Sequence, residues 1–317
     1  MKSKKDNGRM NTGKADADIM DLNNNAVIKT TERDILLDVQ HLSVGFESYN
    51  AKVEKVFFNA ISDLNLTVRK GEIVAVVGSS GSGKSLLAHA VMNILPDNAR
   101  VGGTMYYKGE LLTPEVMNRL RGHEIAFIPQ SVAFLDPLMT VGDQVAGTLG
   151  EKARALQQKA FAHFGLKQEV AGYYPFQLSG GMARRVLLST SYVTETEMII
   201  ADEPTPGLDL KIAIEALQDF RVQADQGKSV ILITHDIDLA LHVADKIAIF
   251  YDGRVVETAD IQTFRGDGQG LKHPYSRALF HALPQNGFNL PRCPKCGATC
   301  ATWDVDEKGM RCSCGNS

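Results

Sequence analysis

The spacing of apolar residues divides this chain into short buried strands that alternate with helices. The runs Ile73–Val77, Met198–Ala201 and Ser229–Ile233 are largely apolar, which is typical of strands buried on both faces. Helical spacing predicts helices at Lys84–Ile94, Lys152–Phe164, Gly181–Thr194, Ile212–Gln226 and Ile237–Asp245. Buried strands that alternate with helices in this way indicate an α/β domain.

Shorter strands are predicted around this core. They lie at Ile35–Phe46, Phe57–Val68 and Glu124–Ile128, with a hairpin at Arg100–Gly109. Asp252-Gly253 separates the apolar strands Ile247–Tyr251 and Arg254–Glu257. This dipeptide is a strong hairpin signal, because both of its positions must adopt a positive φ. From Ala259 onward the pattern weakens, and the one element predicted there is a hairpin around Trp303, Val305 and the polar stretch Asp306–Gly309.

Composition excludes several classes of protein. The chain has 317 residues, 22% of them charged, and a net charge of -3, so general attraction to nucleic acid or to an acidic membrane surface is not expected. No uncharged apolar run reaches the roughly 18 residues of a membrane helix, so any spanning part is expected on another chain. Residues 1–33 are polar and lack a signal-peptide core, which predicts a disordered leader and a cytoplasmic protein.

One glycine-rich loop lies between a predicted strand and a predicted helix and matches the phosphate-binding pattern G-x-x-x-x-G-K-[ST]. Its residues are Gly78, Ser79, Ser80, Gly81, Ser82, Gly83, Lys84 and Ser85. Glycines let the backbone wrap around phosphates, and the helix start adds its positive end. Lys84 is expected to neutralise the β- and γ-phosphates of ATP, and Ser85 to ligate Mg²⁺. A glycine–serine linker could match by chance, but the flanking strand and helix favour a nucleotide site. The loop alone fits kinases, GTPases, helicases and transport ATPases equally.

Two other segments narrow the class of nucleotide site. Asp202 and Glu203 follow an apolar strand, where Asp202 is placed to hold Mg²⁺ and Glu203 to orient and deprotonate a water. Two surface acids at a strand end are the alternative interpretation. Leu178-Ser179-Gly180-Gly181-Met182 precedes a helix and forms a second anion-binding turn. One nucleotide needs one such cradle, so the second suggests contact with the ATP of another subunit.

These segments, in this order, resemble the ATP-binding subunit of ABC transporters. Leu178–Met182 is similar to the signature motif of that family, and Gln130 stands where the family has its Q-loop glutamine. Gly207-Leu208-Asp209 resembles the D-loop, and His235 matches the switch histidine. The resemblance runs from about Ile35 to Pro284. It implies a P-loop NTPase core with an antiparallel β subdomain and a helical signature subdomain.

The resemblance also implies a mechanism. Two subunits would pack head to tail, so that Ser179, Gly180 and Gly181 of one close over the γ-phosphate held by the other. Glu203 would be the general base, and His235 would contact the γ-phosphate. Gln130 would link Mg²⁺ and water to a membrane partner. Asp209 would lie at the dimer seam, and Phe46, or else Tyr49, would stack on adenine.

Within this family the chain is most similar to the dipeptide, oligopeptide and nickel uptake group. The segments that carry this similarity are Tyr174–Gln177, Met182, Ala201–Thr205 and His273–Leu279. Ala183 and Arg184 depart from it, since they replace an Arg-Gln pair that is often present, and Phe176 replaces a common His. No departure removes a catalytic group.

The resemblance to this group implies an importer motor for peptides, nickel or related small solutes. Such a motor lies peripherally on the cytoplasmic side of the cell membrane. Its expected partners are a second, related ATPase, membrane permease chains and an external solute-binding protein. One alternative is a soluble ABC ATPase that serves an enzyme complex such as carbon–phosphorus lyase. Another, an ABC protein acting on DNA or ribosomes, would be favoured by tandem cassettes or a long coiled coil, and the sequence has neither.

All five cysteines lie in the last 25 residues, which indicates a local metal site more than a disulfide framework. Cys293 and Cys296 form one close pair, and Cys312 and Cys314 form another, so four thiolates suit a tetrahedral Zn²⁺ in a small zinc ribbon. An iron–sulfur cluster and a reduced, metal-free tail are the alternatives, with Cys300 as a spare ligand. The predicted organisation is a leader (1–33), an ATPase domain (34–258), an extension (259–290) and a cysteine-rich tail (291–317).

Overall fold

The computed structural model describes residues 34–49, 55–147, 150–193, 195–265 and 268–283, together with two short strands near the C-terminus. The helices are α1 Lys84–Val91, α2 Pro114–Leu120, α3 Val141–Ala146, α4 Gly150–His163, α5 Gly180–Val193, α6 Leu210–Asp225, α7 Ile237–Val243, α8 Ile261–Arg265 and α9 Pro274–His281. Short 3₁₀ helices lie at Val132–Phe134, Gln168–Gly172 and Pro175–Gln177.

The strands form three sheets. Their bounds are β1 Ile35–Tyr49, β2 Lys55–Arg69, β3 Ile73–Val77, β4 Ala99–Tyr107, β5 Glu110–Leu111, β6 Ile125–Ile128, β7 Met198–Asp202, β8 Ser229–Thr234, β9 Lys246–Tyr251, β10 Arg254–Asp260, β11 Trp303–Asp306 and β12 Gly309–Cys312. The central sheet has the order β10-β9-β3-β8-β7-β6, and β10 is its antiparallel member. A second sheet has the order β2-β1-β4-β5, and β11 pairs with β12.

The central sheet separates two hydrophobic cores, because successive residues of a strand point to opposite faces. In β3, Ile73, Ala75 and Val77 belong to the core that also contains residues of α4–α7. Val74 and Val76 belong to the core that contains residues of α1 and of the four-stranded sheet. Every residue of β3 is therefore buried, as the continuous apolar run predicts.

The hairpin predicted at Arg100–Gly109 is wrong, whereas the other strands and longer helices predicted from the sequence are present, with bounds that differ by a few residues. Residues 100–107 of that stretch belong to one strand, β4, which pairs with β1 and, after a turn, with β5. Gly103 lies inside the strand, where a Cβ would collide with the His41 carbonyl oxygen.

The Asp252-Gly253 hairpin is confirmed, and both residues have positive φ, 49° and 73°. The structure adds four short helices that the periodicity missed. For α2 a start signal was available: Thr113 precedes Pro114, and its Oγ1 accepts a hydrogen bond from the Val116 N–H at 3.3 Å.

The weak pattern after Ala259 hides two helices. Before α9, the Glu257 carboxylate accepts hydrogen bonds from the backbone N–H groups of Lys272 (2.7 Å) and His273 (3.0 Å). The Tyr275 ring packs on Tyr251 with a centroid distance of 4.2 Å. The α9 segment is thus held by contacts with β9 and β10, which helical periodicity cannot reveal. The strand β10 itself continues to Asp260, past the predicted boundary at residue 258.

Among the described residues, no helix is both long and apolar enough to cross a membrane.

Candidate functional site

The candidate site lies at the carboxyl edge of the central sheet. Three parallel strands end at this edge, since Val77 of β3 pairs with Thr234 of β8 and Asp202 of β7 pairs with Ile233 of β8. The strand β6 ends at the same edge, beside β7, at Ile128. The segments that follow these strands contain the phosphate loop, Glu203, His235 and Gln130. Loops at the carboxyl ends of neighbouring parallel strands form the usual ligand crevice of an open α/β sheet.

The phosphate loop packs tightly against the sheet. A Cβ added to Gly78 would collide with the carbonyl oxygen of Phe250, so only glycine fits there. Gly83 has a φ of +104°, which glycine adopts without strain, and it leads directly into α1. Lys84 is 5% exposed, and its ammonium donates to the carbonyls of Gly78 (3.0 Å) and Ser79 (2.7 Å). The loop therefore holds the Lys84 cation against its own backbone carbonyls.

Burial has the largest effect on the pKa of Lys84 and lowers it, while the carboxylates of Glu203 and Asp202 act in the opposite direction. A cation in this setting gains from a second anion, such as a phosphate, that replaces lost hydration. The buried Ser82 Oγ lacks a hydrogen-bond partner in the described structure, so the loop also offers an unused donor. Both observations fit a triphosphate.

Ser85 and Asp202 form a donor set that suits Mg²⁺. The Ser85 hydroxyl donates to Asp202 Oδ1 at 3.0 Å, and Asp202 is 1% exposed. A hydroxyl and a carboxylate are the oxygen ligands that Mg²⁺ uses beside phosphates. Burial raises the pKa of Asp202 to about 6, and the Glu203 carboxylate acts in the same direction. A bound cation would relieve this unfavourable charge.

The raised pKa of Asp202 predicts a pH-dependent stability effect. Above pH 6 the folded protein bears a buried anion that the unfolded chain solvates freely, so Asp202→Asn should stabilise the metal-free protein at pH 8. The gain should shrink as the pH falls through about 6 and vanish below the unfolded-state pKa, and the shift corresponds to at most roughly 3 kcal/mol. Thermal denaturation at several pH values measures it. The exposed Asp97→Asn variant is the control, and a gain independent of pH would contradict the prediction.

Glu203 and His235 form a close pair at the candidate site. His235 Nδ1 lies 2.8 and 2.7 Å from the two carboxylate oxygens of Glu203. Glu203 is 6% exposed and has a φ of +47°, a region that costs a non-glycine residue about 1–3 kcal/mol. Its N–H donates to the Ile233 carbonyl at 2.9 Å, which holds this conformation. A strained, buried carboxylate next to an exposed imidazole is suited to general base chemistry.

Arg184 is a site residue whose role the sequence did not reveal. Its guanidinium donates to the carbonyls of Pro129 (2.9 Å) and Gln130 (2.6 Å), so it joins α5 to the segment that follows β6. Burial lowers the pKa of Arg184, while Asp202 and Glu203 oppose that effect. The sequence offered two signals: Arg184 replaces a residue expected from the resemblance, and it is a charged residue on the apolar side of a predicted helix. The Gln130 side chain is exposed.

The Ser179-Gly180-Gly181 turn, in contrast to these buried groups, lies at the surface. Ser179 and Gly180 are exposed, and Ser179 Oγ accepts a hydrogen bond from the Met182 N–H at 3.3 Å. A Cβ on Gly181 would lie 3.5 Å from the Gly207 carbonyl oxygen, so this turn borders the Gly207–Asp209 loop. The turn is not packed inside the protein. It is open to a ligand or to another chain.

Asp209 and Phe46 have different settings. Asp209 is exposed and caps α6, since its Oδ1 accepts a hydrogen bond from the Ile212 N–H at 3.1 Å. Phe46 is half-buried in β1 and packs against the core that contains α1.

The Tyr49 side chain lies outside the described residues. The same holds for Cys293, Cys296, Cys300 and Cys314 and for the Cys312 side chain. Among the described residues, no group of three or more acidic, His or Cys side chains forms a metal cluster.

Comparison with known proteins agrees with this geometry. The ABC transporter family profile matches residues 61–206. The oligopeptide transport ATP-binding protein OppD of Lactococcus lactis subsp. cremoris is 34% identical over 268 residues, which cover 80% of this chain and 77% of that protein. The glutathione import ATP-binding protein GsiA of Salmonella choleraesuis is 34% identical over 286 residues, 82% of this chain and 44% of that protein.

Solved structures show the same fold. A bacterial ABC transporter cassette, solved as a dimer, superposes with a TM-score of 0.62 at 25% sequence identity. The match covers 71% of this chain and 99% of that one.

Proposed function

Because the chain belongs to the ABC transporter family, in the group of ATP-binding subunits for peptide uptake, we propose that it is the ATP-hydrolysing motor of a peptide importer. The observation that carries this proposal is the 34% identity with an oligopeptide transport ATP-binding protein over 80% of the chain. The importer would place this subunit peripherally, on the cytoplasmic side of the cell membrane. Permease chains and an external solute-binding protein would complete it.

The proposed hydrolysis uses the groups at the carboxyl edge of the central sheet. Water attacks the γ-phosphorus, the bond from that phosphorus to the bridging oxygen breaks, and ADP and phosphate leave. Glu203 accepts the proton of the attacking water, and His235 orients the Glu203 carboxylate and contacts the γ-phosphate. Lys84 neutralises charge on the β- and γ-phosphates. Ser85, Asp202 and the Gln130 side chain would hold Mg²⁺, which supplies further neutralisation when bound.

A nucleotide-sandwiching dimer is part of the proposal. The exposed Ser179-Gly180-Gly181 turn has free access to a partner, and Asp209 lies on the exposed loop beside it. A cassette 25% identical to this chain was solved as a dimer. The turn of one subunit would bind the γ-phosphate held by the other, while Phe46 stacks on adenine. The partner is expected to be a related but different ATPase, as the resemblance to the uptake group implies.

The surface near Gln130 supports docking of membrane permease chains. It exposes six large apolar side chains, which are Val132, Phe134, Leu138, Met139, Tyr174 and Phe176. Leu138 is 87% exposed and Phe176 is 78% exposed. The Val141 N–H donates to the Tyr173 carbonyl at 2.9 Å, so the two stretches that carry these side chains adjoin. Exposed apolar side chains grouped on adjoining stretches are a feature of interaction sites.

Leu138→Lys is expected to separate ATP binding from transport. A charge at the centre of an apolar interface is costly to bury, so co-purification with the permease chains and uptake of a labelled oligopeptide should both fall about tenfold or more. ATP affinity should not change, because Leu138 is 87% exposed and is not one of the residues proposed to bind ATP. Val222→Lys is the matched control, since Val222 is exposed on α6 at 53%.

Two outcomes would contradict the importer proposal. One is uptake of Ni²⁺ with no uptake of peptide by the assembled transporter. The other is co-purification of the chain with a soluble enzyme core and with no multispanning membrane protein. Equal loss of uptake in the Leu138 and Val222 variants would contradict only the docking role of the apolar surface.

A zinc site in the tail remains a separate proposal. Its support is the spacing of the two cysteine pairs, together with the antiparallel strands β11 and β12, in which Trp303 pairs with Cys312. Such a hairpin between two thiolate pairs is typical of a zinc ribbon. Elemental analysis of the purified chain should find about one zinc per chain, lost on Cys312→Ser, with no visible absorption. An absorption band near 400 nm with bound iron would favour a cluster instead.

A further inference from the structure

Arg184 is a buried cation one helical turn after the Ser179-Gly180-Gly181 turn. It lies in α5 and is 6% exposed. Its Nη1 donates to the Pro129 carbonyl at 2.9 Å, and its Nη2 donates to the Gln130 carbonyl at 2.6 Å. One planar guanidinium thus binds two consecutive carbonyls of the segment that follows β6.

Hydrogen bonds and nearby carboxylates compensate for the burial of the Arg184 charge. Arginine keeps its charge in proteins, so burying it requires hydrogen bonds and nearby negative charge. The carbonyls of Pro129 and Gln130 satisfy its donors, and Asp202 and Glu203 offset its charge. Arg184 therefore lies between the carboxylates of the site and the backbone that carries Gln130.

The contact between Arg184 and the carbonyls of Pro129 and Gln130 restrains a segment at the edge of the central sheet. β6 is the edge strand of the central sheet, and the Gln130 side chain is exposed just beyond its end. A rigid fork that holds two adjacent carbonyls restricts the peptide planes on both sides of Gln130. The direction of the Gln130 side chain is then set by α5, the helix that begins at the Ser179 turn.

We infer that Arg184 is a positioning residue that clamps the Gln130 segment to the Ser179 helix, so that the two move as one unit relative to Asp202 and Glu203. This inference rests on the proposed role of Gln130 beside Mg²⁺ and water. The sequence departs here from the glutamine that the resemblance leads one to expect. A glutamine is shorter and uncharged, so it cannot reproduce the charged fork.

The neighbouring arginine is a matched control from the same helix. The Arg185 Nη1 donates to the carbonyls of Phe164 (3.3 Å) and Gly165 (3.2 Å), at the end of α4. Arg185→Met therefore removes the same kind of bond from a different loop. Arg185 is half-buried and its Nε also donates to the Gly181 carbonyl at 3.3 Å, so this control removes an arginine from the same helix while the contacts to Pro129 and Gln130 stay in place.

Hydrogen–deuterium exchange of the full chain, without nucleotide, tests the clamp directly. Arg184→Met should raise exchange in the peptide spanning residues 127–135 about tenfold or more, because local opening becomes easier. Arg185→Met should instead raise exchange around residues 163–167. Unchanged exchange at 127–135 in Arg184→Met, or a rise there equal to that in Arg185→Met, would overturn the clamp. If Arg184→Met fails to fold, Arg184→Lys carries the same two measurements, since it retains the charge but loses the fork.

Kinetics of ATP hydrolysis test the role given to Gln130. Arg184→Met should lower kcat about 10- to 100-fold with little change in the KM for ATP, since misplacement of a positioning group costs rate. When Gln130→Ala is already present, Arg184→Met should lower kcat little further. The reductions in kcat caused by Arg185→Met and by Gln130→Ala should instead multiply in the double variant. If the effects of Arg184→Met and Gln130→Ala also multiply, Arg184 does not act through Gln130. The exchange measurement needs no ATP and no transport, so the clamp and the proposed function can fail separately.

Discussion

Glu203→Gln should reduce the kcat for ATP hydrolysis by about 10²- to 10⁴-fold while ATP still binds. The amide keeps a hydrogen-bond partner for His235 and the volume of the side chain, but it cannot accept the proton of the attacking water. Phosphate release at saturating Mg-ATP, measured on the purified chain and on its assembly, gives kcat. A fluorescent ATP analogue gives the affinity, which should stay within about threefold of the parent value.

The control for Glu203→Gln is Glu215→Gln, a half-exposed acid on α6. It should hydrolyse ATP at the parent rate. Full steady-state turnover by Glu203→Gln would remove Glu203 from the role of general base. The same variant tests the dimer, because blocked hydrolysis preserves an ATP-bound interface. Equilibrium sedimentation of Glu203→Gln with ATP should show no tight homodimer if the natural partner is a different ATPase.

Lys84→Ala should weaken ATP binding about 10- to 100-fold. Hydrogen bonds to charged groups contribute about 1.5–3 kcal/mol, and the ammonium lies at the mouth of the phosphate loop. The change also leaves the carboxylates of Asp202 and Glu203 with one nearby cation fewer, which adds repulsion toward a triphosphate. Isothermal titration with Mg-ATP measures the dissociation constant directly.

Lys70→Ala is the control for Lys84→Ala, because Lys70 is an exposed lysine 3.9 Å from Glu197. Its removal should leave ATP affinity as it was. Unchanged ATP affinity in Lys84→Ala would count against the phosphate cradle. Equal losses in both lysine variants would point to general electrostatics in place of a specific contact.

Local chemistry made much of the site predictable. The proposed phosphate contacts of Gly78–Ser85 come from the backbone and side chains of these eight consecutive residues, so their order along the chain was sufficient to predict them. The apolar runs before Asp202 and His235 predicted buried strands, and the structure confirms both. These predictions succeeded because each depends on residues that are adjacent in the sequence.

The C-terminal helices and the Gln130 segment were less predictable. The position of α9 depends on Glu257, which accepts hydrogen bonds from residues 15 and 16 positions away along the chain. The carbonyls of Pro129 and Gln130 are held by Arg184, 55 and 54 positions away. Periodicity describes which face of one element is apolar, and it has no information about partners on another element.

The sequence by itself determined the class of this protein: a phosphate loop, two acids after a strand and a histidine after the next strand, in the order of an ABC ATPase. The tertiary structure decided how these groups meet. The sheet register places the ends of β3, β7 and β8 at one edge, and the positive φ of Glu203 brings its carboxylate to His235. The reason is physical: spacing along a chain fixes local conformation, while distances between separate elements depend on how their cores pack.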